Sequence, residues 1–263
     1  MRHKHEMDKV SVIIITRNEA ANIGACVDSA RMLTDDIVVI DSGSTDDTVA
    51  IAHKAGARIL NIVWNGFGDA RNQGAAQTRY DWVLALDADE RITMDLVGSI
   101  KALDAHANGA IYGFKRQNYF MGRKILFGEW GRDKVFRLYH KARVSWDLSP
   151  VHEVLTGEGT AQKIISGFVK HFPVRNASQN TEKTNRYASL NAEKYFQNGK
   201  DASFVKRFFS PVFNFLKMYV LLLGFLDGKA GFEIAWATTR YVWLKYHLLH
   251  QMRKGKIKPK PMQ

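Results

Sequence analysis

The sequence predicts an α/β domain built on a mostly parallel sheet, followed by a basic, helical extension. Three observations predict it. Short β-branched runs alternate with small-residue helical stretches through the first hundred residues, the rhythm of strands joined by crossover helices. Polar clusters fall where those strands end, the edge at which open α/β sheets bind ligands. The charge also changes sign along the chain. Residues 1–100 carry 10 Lys and Arg against 15 Asp and Glu, and the remaining 163 carry 28 against 11, a balance of +17.

The elements follow in order. "KVSVIIIT" is a β-branched run, too short for a membrane span and suited to a buried strand. "NEAANIGACVDSARML" has helical spacing, with Ala21, Ala25, Val27 and Ala30 on one side. "DDIVVIDSGSTDDT" is a second strand and a turn, in which Ser44 and Asp47 resemble a capping box. "TVAIAHKAGARIL" is a helix stopped near Gly56, and "RILNIV" a third strand. "GDARNQGAAQTR" is another helix, and "DWVLALDAD" a fourth strand.

After Leu103 the pattern weakens into aromatics and cations with strand-like pieces such as "KVFRLY". From about Asn180 it is helical again, with an amphipathic stretch ending near Gly199. The expected division is an α/β domain over 1–175 and a helical extension over 176–263. The single cysteine, Cys26, excludes an internal disulfide and fits a reducing compartment. The polar start "MRHKHEMDKV" lacks the pattern of a secretion leader.

The chemistry concentrates at the strand ends. Asp87-x-Asp89 closes the fourth strand, and strand alternation would set both carboxylates on one side. Such a pair suits a hard divalent cation, Mg2+ or Mn2+, bound through oxygen. A solvated loop with Asp89 capping a helix is the plainer alternative. Asp41 ends the second strand beside Gly43 and can accept hydrogen bonds from a base edge. Thr16, Asn18 and Glu19 leave the first strand next to it, where Asn18 could instead cap the helix that follows. Neither G-x-G-x-x-G nor G-x-x-x-x-G-K-[ST] occurs. Phosphates would therefore need a metal rather than a glycine cradle.

Four segments, "VSVIIITRNEAANI", "IVVIDSGSTDDT", "GFGDARNQG" and "VLALDADERI", resemble in order the blocks of a family 2 glycosyltransferase with the GT-A fold. The continuations "RLYHKARVSWDLSPVHE" and "GFLDGKAGF" are similar to a bacterial subgroup. Its members include β-glucosyltransferases of the lipopolysaccharide or lipooligosaccharide core. The resemblance implies inverting transfer of a hexose, glucose first, from a UDP-sugar to a core sugar hydroxyl. Thr16, Asn18 and Glu19 would line the nucleotide site, Asp41 would hold the uracil, and Arg71 would lie near the nucleotide. Asp87 would sit by the ribose and metal, and Asp89 would ligate the metal on the diphosphate.

The family uses a carboxylate base, and many members carry a Glu-Asp pair that this chain lacks. The candidates are Glu153 and Asp133, with Glu153 preferred by placement. His152 would add a metal or phosphate contact, and Trp130 and Arg137 could shape the acceptor pocket. Asp133 could instead pair with Arg132 or Arg137.

Two readings of the apolar run from Pro211 to Leu226 stand side by side: a core helix, or an interfacial helix on an anionic membrane. The second is favoured, and with it a peripheral place on the inner face of the cytoplasmic membrane. Nucleic acid is not expected, because no zinc-finger spacing, ribonucleoprotein motif or helix-turn-helix is present. The rivals are a nucleotidyltransferase and a non-catalytic nucleotide-binding module. The first would carry a glycine- and cation-rich loop after the first strand, of which "TRNEAANIG" is a poor version.

Overall fold

The computed structural model describes residues 7, 9–104, 110–149, 153–157 and 161–259. Its first half alternates as expected. It runs β1 (Val10–Thr16), α1 (Ala20–Ala30), β2 (Ile37–Asp41), α2 (Thr48–Lys54), β3 (Arg58–Asn61), α3 (Phe67–Ala76) and β4 (Trp82–Asp87). A short β5 (Glu90–Ile92) and α4 (Met94–Lys101) follow. Next come β6 (Ala110–Phe120), β7 (Arg123–Lys124), β8 (Lys134–His140), β9 (Ser145–Trp146), β10 (Leu155–Thr156) and β11 (Ala161–Val174). The chain ends in α5 (Ala177–Gln197), α6 (Phe204–Phe215), a π-helical segment over Leu216–Leu221, and α7 (Gly228–Arg253).

The main sheet has the order β3-β2-β1-β4-β8-β6-β11-β5, with β7 paired to β6. β3, β2, β1 and β4 are parallel, whereas β8 runs antiparallel to β4 and to β6, and β5 antiparallel to β11. The class is α/β with C-terminal helices, and the sheet is mixed. The antiparallel half occupies the stretch where the sequence pattern weakens.

β1 is buried along its whole length because it is central and covered on both faces. Val12 and Ile14 join the core under α1 and α2, while Ile13 and Ile15 join the core under α3. This is the two-residue alternation of a strand with two buried faces. α3 reaches the sheet through Gly74, where a Cβ would collide with Ile40. On the other side α2 ends at Lys54 and Gly56 turns the chain with φ +88, the conformation glycine adopts without strain.

The chain forms two compact units, one of residues 1–117 and 133–171, the other of 118–132 and 172–263. In the second unit α5 and α7 pack together, as do α6 and α7. Asp227, buried ahead of α7, accepts hydrogen bonds from the backbone N–H groups of Leu126 and Phe127.

Candidate active site

Ile15 pairs with Asp87 and Thr16 with Asp41, so both acids stand at the same end of β1, on its two neighbours. Two strand spacings separate them, roughly 10 Å. Asp41 shares the parity of Ile37 and Val39, and Asp87 that of Val83 and Ala85. Alternation therefore turns the two toward opposite faces.

Asp41 folds back onto its own loop. Its Oδ2 accepts from the N–H groups of Gly43 and Ser44, each at 2.9 Å, and its Oδ1 accepts from the Ser44 hydroxyl. The expected capping box at Ser44 is corrected here. Its hydroxyl is committed to Asp41, and Asp46 accepts from the first N–H of α2 instead. The loop after β1 is bonded to the same turn. Asn18, with φ 55, donates its N–H to Ser44 Oγ and accepts from the Thr45 N–H through its side chain. Its side chain therefore does not cap α1, contrary to the simpler alternative. Glu19 donates its N–H to Thr48, and its carboxylate accepts from Asn22. Thr16 is buried, and its hydroxyl has no partner among the described residues.

The expectation that Asp87 and Asp89 share one strand side needs correction. The strand stops at Asp87 and the chain turns through Ala88 and Asp89, so alternation does not extend to the second acid. The two take different partners. Asp87 accepts from Arg71 Nη2 at 2.9 Å and from Arg137 at 3.2 and 3.3 Å. Burial pushes the Asp87 carboxyl up, but Arg137 and Arg71 outweigh it and hold the group well below the usual carboxylate range. Asp89 lies 3.5 Å from Nε2 of His171, which β11 brings opposite Glu90.

Arg71 also binds Glu153 through Nη1, so one buried guanidinium joins Asp87 to Glu153. The β9–β10 hairpin delivers that carboxylate: Leu155 pairs with Trp146, and Asp147 and Val154 bond through their backbones at 3.0 Å. Asn72, next along α3, holds β9 like a strand neighbour. It donates to the Trp146 carbonyl at 2.8 Å and accepts from the Trp146 N–H at 3.0 Å. The indole of Trp146 lies against both guanidiniums, 4.6 Å from Arg71 and 5.6 Å from Arg137.

Asp133 is paired with Arg116 at 2.7 Å, rather than with Arg132 or Arg137. Arg116 also reaches Glu90, which is fully buried and accepts from the Asp87 N–H at 3.0 Å. Burial pushes the Glu90 carboxyl up, and the charge on Asp87 adds to the shift. Trp130 packs edge-on to Phe120 in the second unit, and Arg137 contacts Asp87 rather than a separate pocket. His152 lies outside the described residues.

Arg116, Glu90, Asn72, Trp146 and His171 were not singled out from the sequence. For Arg116 a signal existed, because alternation in "YGFKRQNYF" sets it in line with the buried Phe114 and Asn118. His171 had none, because only the pairing of β11 with β5 brings it to Asp89.

The model of glycosyl transferase family 2 matches residues 11–156, more than half of the chain. The chain is 29% identical over 254 residues to the lipopolysaccharide core biosynthesis glycosyltransferase LpsC of Rhizobium meliloti, covering 91% of this chain and 93% of that one. It is also 29% identical to an uncharacterized glycosyltransferase of Rickettsia typhi, over 90% of this chain and 86% of the relative. Among solved structures, glucosyl-3-phosphoglycerate synthase from Mycobacterium tuberculosis is 30% identical with a TM-score of 0.34. That match covers 42% of this chain and 43% of the other, too partial a superposition to carry an argument. Given the family match from β1 through the β9–β10 hairpin, and likeness to glycosyltransferases along nearly the whole length, the chain belongs to glycosyl transferase family 2.

Proposed function

We propose that this glycosyltransferase moves a hexose, glucose as the first choice, from a UDP-sugar to a sugar hydroxyl of a lipopolysaccharide core or related glycolipid, with inversion. The observation that carries the reading is the single guanidinium of Arg71 shared by the strand-end Asp87 and by Glu153. It sets a candidate base beside the acids where a nucleotide sugar would lie. Similarity to LpsC over nine-tenths of both chains supports the acceptor class.

The donor set at the tip of β4 fits a divalent cation in part. Asp89 and His171 offer an oxygen and a nitrogen 3.5 Å apart. Mg2+ or Mn2+ would take its other positions from water and diphosphate. Asp87 fits less well, because two arginines already hold its oxygens. Among the described residues no three His, Cys, Asp or Glu side chains converge as a cation cage. When bound, the ion would offset charge on the departing diphosphate.

Glu153 uses Oε1 toward Arg71, which leaves Oε2 for the acceptor hydroxyl. The acceptor oxygen attacks the anomeric carbon from the side opposite UDP, and its proton passes to Glu153. The new glycosidic bond forms as the bond to the diphosphate breaks. Arg71 and Arg137 hold Asp87 ionised and oriented throughout. An acceptor of this class is lipid-anchored, so the reading puts the protein at the inner face of the cytoplasmic membrane.

The test is transfer by the full chain from a panel of UDP-sugars to a core oligosaccharide, with and without Mn2+. The expected result is metal-dependent transfer that gives the inverted anomer, lost in Asp89→Ala. UDP binding without turnover of any donor would favour a nucleotide-binding module.

A further inference from the structure

The second unit carries an outward apolar face with the wrong polarity for a soluble surface helix. On α6 the exposed apolar residues are Phe204, Val205, Phe208, Phe209, Val212 and Phe213, repeating at three- and four-residue steps, with Phe209 62% and Phe213 63% exposed. The residues turned inward are Arg207, Ser210, Pro211, Asn214 and Phe215, half-buried or buried, and of these Phe215 packs on the core of the second unit. A helix on a soluble surface has the opposite arrangement.

The face continues past α6. Leu216, Leu221 and Leu226 are exposed in the segment that follows, and Trp236 on α7 is 58% exposed with its ring stacked along Phe232. Rings link the two helices, Phe215 lying 5.9 Å from Phe232 and Phe232 6.4 Å from Trp236, and exposed apolar surface of this extent marks an interaction site.

Charge decides between occupants. The second unit carries 19 Lys and Arg against 6 Asp and Glu, a balance of +13, while the first carries 19 against 20. The excess positive charge of the chain therefore belongs to the unit with the apolar face. Lys206 is exposed on α6, and Lys229 and Arg240 are exposed on α7, the helix of Trp236. A second copy would bring +13 against +13. Nucleic acid would meet the charge but not the phenyl rings. An anionic bilayer takes both, rings among acyl chains and ammonium groups at phosphates.

Depth is limited as well. Among the described residues no single helix is long and apolar enough to cross a membrane; Phe204–Leu221 and Gly224–Arg253 have the length and composition only as a pair, and the pair is bent by 69°, which lays the two along a surface rather than through it.

We propose that the Phe204–Trp236 face docks in the plane of an anionic bilayer, with α6 embedded at the headgroup boundary. This stands apart from the choice of donor or acceptor, and its test uses no turnover. The full chain is floated with vesicles of phosphatidylcholine alone and of phosphatidylcholine with phosphatidylglycerol. It should rise with the anionic vesicles. The triple variant Phe208→Ser/Phe209→Ser/Phe213→Ser should bind them about tenfold or more weakly, in proportion to lost apolar area and unchanged charge.

A second readout needs no core change. Lipids brominated near the headgroup should quench tryptophan emission, and Trp236→Phe should remove much of that quenching. Equal binding by the triple variant, or no difference in quenching between Trp236→Phe and the parent chain, overturns the proposal. So does a dimer in sedimentation that the triple variant dissociates while neither protein floats, which would assign the face to a second copy.

Discussion

Arg71 and Asp87, on α3 and at the tip of β4, lie 2.9 Å apart, and the same guanidinium binds Glu153. Arg71→Lys keeps the charge but loses the planar fork that serves two carboxylates at once. The expected result is a kcat loss with the fold intact. Arg71→Ala also takes a partner from two half-buried acids, of which Asp87 keeps Arg137, and should cost about 1–3 kcal/mol of stability. Denaturant melts of both variants, beside transfer rates, check the split.

Glu153→Gln and Asp133→Asn separate the two carboxylate candidates. If Glu153 takes the acceptor proton, its amide should lower kcat by roughly 10²–10⁴ and leave KM for the UDP-sugar nearly unchanged. Asp133 is engaged with Arg116, so Asp133→Asn should chiefly lower the melting temperature. The reverse pattern would transfer the role to Asp133.

His171 faces Asp89 across 3.5 Å. His171→Ala should raise the Mn2+ concentration for half-maximal activity roughly 10–100-fold, the range seen when a partner of a metal site is lost. Titration calorimetry with Mn2+ and UDP provides a readout free of turnover. An unchanged metal requirement would remove His171 from the site.

Acid should unfold the chain through Asp36 and Asp87. Burial raises both carboxyls. It is outweighed at Asp36 by hydrogen bonds from Ser11, Arg79 and Arg58, and at Asp87 by the charges of Arg137 and Arg71. Both folded values lie below the unfolded ones. Their stabilisation is therefore present above the unfolded carboxylate pKa of about 4 and is lost as pH falls below it. Asp36→Asn should flatten the fall in denaturation midpoint over that acid range.

Cys26 gives an internal report on opening. It is fully buried, and burial together with the charges of Glu90, Asp89 and Asp87 pushes the thiol up. Thiol reagents attack the thiolate. Native labelling should therefore be roughly 10³-fold or more slower than in denaturant, tracking the opening equilibrium. Fast native labelling would mean that α1 lifts from the sheet locally.

The parallel half was legible because its signal is local. "VSVIIIT" and "IVVID" are apolar throughout, as strands covered on both faces must be. Their ends, Thr16 and Asp41, stand in register across β1 and β2. The antiparallel half was not legible, because β6, β8 and β11 mix polar and aromatic residues and pair over long separations. The site divides in the same way. Asp87 and Asp89 can be read from one short run, whereas Arg71 and Glu153 meet across 82 positions. The failed capping box at Ser44 shows the limit of local patterns, since a nearer carboxylate, Asp41, captured the hydroxyl.

Arg71 and Asn72 are consecutive on α3, yet one reaches the acids and the other clasps β9 through both peptide groups of Trp146. A shift of β9 must break that clasp or drag the helix along. The helix cannot move without pulling its arginine away from the β4 tip. Whatever displaces the hairpin is therefore felt mechanically at the carboxylates of the β4 tip, one residue away along the backbone.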